Sequence, residues 1–256
     1  MAVPLSHDAL RAYLQAMHDR PFTGWDFAAF AQGRKTIRVH DTWDYTSVVS
    51  GAMQGAQAVL DMDTGGGEAF STFGPFPPLA CATEGYMPNV SLADARLASL
   101  GVHVVAALVN RTMPFAAGTF DLITNRHGAY DVRDVWRVLV PGGTFITQQV
   151  GSKTNRRLHE LLGDDTPEGD WHLAKAAREL EAVDWEIMTQ REEVFTTRYS
   201  DIGAVVYYLK AIPWEVPDFS VDRYFNRLVT MRDLIARDGY LDVPFHSFLI
   251  VARKPR

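Results

Sequence analysis

The chain predicts an α/β protein built on a doubly wound, mostly parallel sheet. Three observations carry that expectation. From residue 57 onward, short apolar runs alternate with helical patterns, the mark of strands joined by crossover helices. One run, Val102–Val109, is apolar at nearly every position, as expected of a strand buried on both faces. The first run ends in Asp61-Met62-Asp63-Thr64-Gly65-Gly66-Gly67, a turn whose glycines let backbone pass close to a ligand. A helix is expected after that turn, with its free N–H groups aimed at the same spot.

Residues 1–53 read as helical. Ser6 caps a segment with apolar Leu10, Tyr13, Leu14 and Met17 at helical spacing, and Pro21 ends it. Thr23 caps a second helix through Phe27 and Phe30 to Gly33, and Trp43-Asp44-Tyr45 leads into a third that stops near Gly51. Trp43 and Tyr45 serve either as core, the commoner role of aromatics, or as a lid over a ligand. Strands follow at Gln57–Asp61 and, after the breakers Gly74, Pro75, Pro77 and Pro78, at Leu79–Thr83. Pro88 opens a helix that runs to Gly101, and Val102–Val109 is the third strand. Phe120–Thr124 is the fourth. A helix over Val132–Leu139 stops at Pro141-Gly142-Gly143, and Thr144–Val150 is the fifth strand. Beyond it come a helix at Leu173–Val183, two strand-like pieces within Glu186–Tyr199, and a short apolar helix from Asp201 broken at Pro213. A longer amphipathic helix, Phe219–Arg237, is ended by Gly239, and Phe245–Val251 is a last strand. Right-handed crossovers wind this order into one sheet. No linker or repeat divides it, so residues 1–256 are expected as one domain: a helical cap to 54, a strand–helix core over 55–151, and helices with the final strands over 152–256.

Composition bounds the partners. Of 256 residues, 47% are hydrophobic and 22% charged, enough for a sizeable core. No apolar run reaches the roughly 18 residues that span a bilayer, and the N-terminus lacks a signal peptide, so no membrane partner is expected. The single cysteine, Cys81, forms no internal disulfide and fits a cytoplasmic location. A net charge of −6 favours a small partner over long nucleic acid, although Lys153-Thr154-Asn155-Arg156-Arg157 is a local basic cluster that leaves RNA open. Four-cysteine zinc sites are impossible, and no metal is expected.

Asp61 closes the first strand at the glycine turn and Glu84 closes the second. A carboxylate about twenty residues past such a turn accepts from both ribose hydroxyls, a pattern that suits NAD as well as other adenosine cofactors. The stretch Met113-Pro114-Phe115-Ala116-Ala117-Gly118-Thr119-Phe120-Asp121, followed by Arg137-Val138-Leu139-Val140-Pro141-Gly142-Gly143, narrows the choice. Together with the glycine turn it closely resembles the class I S-adenosylmethionine-dependent methyltransferases, whose fourth strand is entered by "LPF–DGSFD" and whose fifth by "RVLKPGG". The resemblance covers roughly residues 55–151 and extends distantly to the ribosomal RNA guanine methyltransferases, without their zinc-binding N-terminus. It implies a Rossmann-like, seven-stranded sheet with an antiparallel last strand and a helical insertion before it. It also implies S-adenosylmethionine as cofactor.

Carried over by position, the resemblance assigns the methionine part of the cofactor to Asp61, Asp63, Thr64, Gly65, Gly66 and Gly67. It assigns the ribose to Glu84, with Gly85 and Tyr86 alongside, and the adenine border to Val109, Asn110 and Arg111. Asn125 falls near the reactive methyl. Two departures stand out. Asp63 occupies the family's first glycine position, where a carboxylate either repels the cofactor's carboxylate or attracts its ammonium or sulfonium. Val109 replaces an acid that many members place before the Leu-Pro-Phe stretch.

Methyl transfer to an O–H or a protonated amine also requires a base, and His127 in Asn125-Arg126-His127-Gly128 is the candidate, the alternative being a histidine that only orients a loop. Arg126 pairs with an acidic substrate group or with Asp131. The amino-methylating DNA enzymes carry an Asp/Asn-Pro-Pro motif at this point, which Asn-Arg-His-Gly does not match, so DNA is not expected. Methylation at pyrimidine carbon needs a thiol, and Cys81 is placed on a buried strand. The leading expectation is a methyltransferase acting on a small-molecule acceptor, with the Trp43/Tyr45 region and the helices at 200–238 forming the acceptor pocket. A non-catalytic S-adenosylmethionine-binding protein and an RNA methyltransferase are the alternatives.

Overall fold

A computed structural model describes residues 6–22, 36–39 (as backbone), 42–108, 112–163 and 168–256. Helix α1, His7–Asp19, begins where the Ser6 hydroxyl accepts from the Ala9 N–H and buries Leu10, Leu14 and Met17. The segment Thr23–Gly33, read as a second helix, lies outside the described residues. Thr36–Val39 is a strand, β1, within the stretch expected to be helical. Asp44 then caps α2, Tyr45–Met53, by accepting from the Thr46 and Ser47 N–H groups.

The core alternates as expected: β2 (Ala58–Met62), β3 (Leu79–Glu84), α3 (Met87–Leu97), β4 (His103–Ala106), β5 (Phe120–Arg126), α4 (Val132–Val138) and β6 (Leu139–Val150). After it come α5 (Arg156–Leu162), α6 (Leu173–Glu181), β7 (Glu186–Tyr199), α7 (Ile202–Ala211), α8 (Val221–Asp238) and β8 (Leu241–Arg253). The strands form one sheet in the order β1-β7-β8-β6-β5-β2-β3-β4. Strands β2 to β6 pair in parallel, and β8 runs antiparallel to both β6 and β7. This is the expected seven-stranded sheet, with β1 added antiparallel along β7 as an eighth strand. Helices α7 and α8 form the expected insertion before the last strand. The chain leaves β2 for β3 on one side and returns through β5 on the other, so the glycine turn sits at the topological switch point, where α/β sheets bind ligands.

Both faces of the sheet are covered. One core gathers Leu60, Met62, Ile123, Phe145 and Trp185 beneath α4 and α6; another gathers Val49, Val59, Phe70, Phe73 and Leu97 beneath α2 and α3. A third joins α1, α5, α7 and α8 through Leu14, Leu158, Val205 and Leu228.

Three expectations are corrected. No α-helix follows the glycine turn; residues 68–78 hold only a 3-10 turn at Phe70–Thr72, because glycines on one side and Gly74, Pro75, Pro77 and Pro78 on the other leave too few residues for a helix. The third strand is not buried on both faces. β4 is the sheet's last strand, pairing only with β3, and its residues are half-buried or exposed. Glu186–Tyr199 is a single strand rather than two pieces, because β8 pairs with it along its whole length.

Candidate cofactor and transfer site

The register of three parallel strands builds the site. Asp61 lies opposite Thr124 on β5 and Ala82 on β3, and Met62 lies opposite Asn125. The Thr64 N–H donates to the Thr83 carbonyl at 2.9 Å, which draws the glycine turn onto the end of β3, beside Glu84. Three carboxylates, from Asp61, Asp63 and Glu84, therefore face one another.

Asp61 is buried and accepts from the Thr124 hydroxyl at 2.6 Å. Burial lifts its carboxyl to about 6, with the Thr124 and Thr64 hydroxyls and the Arg126 charge pulling it back. Asp63 takes a left-handed backbone with φ 53°, a conformation suited to the glycine it replaces. Burial first, then the negative charges of Glu84 and Asp61, raise its carboxyl to about 7. Glu84 is buried, with one oxygen accepting from the Tyr86 N–H at 2.7 Å. The turn itself is clamped from outside. Arg96 donates to the Gly66 carbonyl and pairs with Glu68 at 2.7 Å. Gly85 packs so closely on Leu108 that a Cβ there would meet it at 2.6 Å.

At the end of β5, Asn125 is fully buried. Its Oδ1 accepts from Thr147 Oγ1 at 2.9 Å and from Gln149 Nε2 at 2.6 Å, and the Tyr45 hydroxyl donates to its backbone carbonyl at 3.3 Å. Those bonds fix the amide, whose Nδ2 has no partner among the described residues. A Cβ on Gly128 would lie 2.7 Å from the Asp63 Oδ2 and 2.9 Å from this Nδ2, so both groups close on one glycine in a notch too tight for a side chain.

His127 is exposed at the same end with φ 65°. Its Nε2 lies 3.3 Å from Gln148 Nε2, and Gln148 Oε1 accepts from Trp43 Nε1 at 2.9 Å. An indole N–H only donates, so the glutamine's oxygen must face Trp43 and its amide must donate to His127. That places a lone pair on His127 Nε2 in the neutral ring.

Asp61, Asp63, Thr64, Glu84 and Asn125 thus converge, and the buried glycines 65–67 back them. Gly85 adjoins Glu84. Tyr86 reaches the site only through its backbone, its side chain standing in solvent, and Asn110 and Arg111 lie outside the described residues. Tyr45 is core and packs on Phe73, whereas half-buried Trp43 joins the site through Gln148. Asp131 caps α4. Cys81 is buried on β3, and burial raises its thiol. Thr124, Thr147, Gln148 and Gln149 escaped the sequence reading. Their signal was present: Thr147-Gln148-Gln149 is a polar run inside an otherwise apolar strand.

Beside the notch a cavity of about 440 Å³ opens, lined by His127, Tyr130, Gln149, Trp171 and Glu179 among others. No residue of α7 or α8 lines it. Those helices pack into the third core.

No protein-family model and no curated protein matches the chain. Solved structures do. A protein from Bacillus halodurans, named as a methyltransferase candidate, superposes with a TM-score of 0.61 at 19% identity over 83% of this chain and 99% of its own. The YcgJ protein of Bacillus subtilis gives 0.56 at 18% identity over 82% and 98%. The chain has the class I methyltransferase fold. A cyclase, SpnF, shares it with a TM-score of 0.54 at 14% identity over 100% of this chain and 98% of its own, so the fold admits other chemistry and the site must argue for the reaction.

Proposed function

We propose that this protein transfers the methyl group of S-adenosylmethionine to a small-molecule acceptor. The observation that carries the reading is the glycine turn, which stands at the switch point with carboxylates around it and no α-helix behind it. A pyrophosphate needs free helix N–H groups and would meet three acids here, which disfavours a dinucleotide. A phosphate-free adenosine cofactor with sulfonium and ammonium charges suits the same walls. The unpartnered Asn125 amide, buried close to the Asp63 carboxylate at Gly128, suits such a group.

The second oxygen of Glu84 is the acceptor for ribose hydroxyls, since the first is held by Tyr86. Bound there, S-adenosylmethionine supplies an electrophilic methyl on a cationic sulfur. The chain contributes alignment, which is most of what an in-line displacement requires. Asn125 is locked by Thr147 and Gln149, and His127 offers its Nε2 lone pair to an acceptor proton once Gln148 yields it. The adjoining cavity has the size of a small-molecule site. Arg156 and Arg157 of the basic cluster lie 3.8 and 3.3 Å from Glu160, which offsets part of their charge and favours a small acceptor over RNA.

Calorimetry with S-adenosylmethionine and with S-adenosylhomocysteine tests the cofactor, and methyl-labelled cofactor incubated with metabolite fractions tests transfer. Binding followed by label in a small-molecule fraction is expected. No binding of either compound at millimolar concentration would overturn the proposal. Binding with no label transferred to any fraction would favour a second reading, a ligand-binding protein without transfer, to which Asp63 at the glycine position lends support.

A further inference from the structure

Asp63 is the point at which this chain departs from the turn it resembles, and the structure shows what the departure does. Its left-handed backbone keeps the path a glycine would give, so the turn is preserved while a carboxylate is added to its inner wall. The carboxylate packs against Gly128, and Asn125 brings its fully buried, unpartnered amide to the same glycine. We propose that Asp63 makes the site selective for ligand charge, holding a ligand with a cationic centre beside Asn125 and releasing its neutral counterpart.

The inference rests on the proposed function and deepens it. In methyl transfer the acceptor's lone pair forms the new bond to the methyl carbon, the C–S electron pair returns to sulfur, and the acceptor's proton passes to a base. The sulfonium thereby becomes a neutral thioether. Substrate and product forms of the cofactor share the α-ammonium and the carboxylate, so the charge on sulfur is what Asp63 can discriminate. Attraction for that charge strengthens substrate binding, and its loss eases product release.

The groups around Asp63 favour a cation. Asp61 on β2 and Glu84 on β3 face it with negative charge. At the end of β5, Arg126 acts on Asp61, and His127 adjoins the notch; on α2, the Tyr45 hydroxyl is buried near Asp61. Because burial and the neighbouring acids lift Asp63 to about 7, it carries more negative charge at pH 8 than at pH 6. Selectivity should follow that ionisation.

The test is calorimetric binding of S-adenosylmethionine, S-adenosylhomocysteine and sinefungin, which carries an amine in place of the methylsulfonium, at pH 6 and pH 8. The proteins are the full chain and its Asp63→Asn and Asp63→Gly variants, both residues at home in a left-handed backbone. The wild type is expected to bind the two cationic ligands about tenfold or more tighter than S-adenosylhomocysteine at pH 8, with the ratio falling several-fold at pH 6. In both variants the ratio at pH 8 should fall several-fold below the wild-type value and lose most of its pH dependence, the remainder being the attraction of Asp61 and Glu84, which stay in place. A wild-type ratio near one at pH 8, or a variant that keeps the wild-type ratio and its pH dependence, overturns the inference while leaving the proposed function standing. Failure of all three ligands to bind the wild type overturns both.

Discussion

A half-buried carboxylate among other carboxylates costs stability when it ionises, and Asp63 carries that cost in its left-handed turn. Its folded value lies near 7 against an ordinary 3.8, so the folded chain holds this proton more tightly than the unfolded chain does. The sign follows directly. The group favours the fold most at low pH, and that contribution drains away as pH rises from about 4 to about 7. Asp61, lifted to about 6, acts in the same direction over a narrower window. Asp63→Asn should therefore raise the melting temperature by a few degrees at pH 8 and leave it nearly unchanged at pH 4. Thermal unfolding at the two pH values checks this, and equal shifts at both would show that the carboxylate's charge is not the cause. A residue that destabilises the neutral-pH fold in this way is typical of sites kept for function.

The turn between β5 and α4 places Asn125, His127 and Gly128, and its tightness is a property of the element rather than of one side chain. An added Cβ at Gly128 would come within 2.7 Å of the Asp63 carboxylate and 2.9 Å of the Asn125 amide. Gly128→Ala should cost about 1–3 kcal/mol through overpacking and weaken S-adenosylmethionine binding about tenfold or more. Calorimetry beside a denaturant melt separates the two effects, and unchanged affinity would mean that the notch is not part of the cofactor site. Elements with a local cause were legible in advance. Ser6 and Asp44 cap α1 and α2, Gly239 ends α8 with φ 83°, and near-continuous burial marks β2 and β5. What was missed depends on neighbours far along the chain. β1 exists because β7 offers it an edge, and β4 is exposed because no strand among the described residues pairs beyond it. The convergence of Asp61, Glu84 and Asn125 was readable from strand ends at a switch point. Their partners Thr124 and Gln149 were not, because they follow from strand register, which the local pattern does not carry.

At the scale of the molecule, one continuous sheet binds three apolar cores, and β8 is the strand that connects them. Phe248 and Ile250 face the core beneath α4 and α6, Leu249 faces the core beneath α2 and α3, and Leu241 and Val243 enter the core of the helical insertion. A sheet strand cannot leave one of these cores without disturbing the others, so the insertion and the cofactor half should unfold together. Leu228, fully buried on α8, is remote from the carboxylate cluster, whereas Trp136 and Trp185 report from the core beneath α4 and α6. Leu228→Ala should cost about 2–5 kcal/mol and move the tryptophan fluorescence and far-UV circular dichroism transitions by the same amount, as a single step. A first transition seen by circular dichroism with the tryptophan signal unmoved would instead divide the chain into two folding units. The single-step outcome has a consequence for the site. Ligand held by Asp61, Glu84 and Asn125 would then stabilise the distant α8 layer as strongly as the glycine turn, because both belong to one equilibrium.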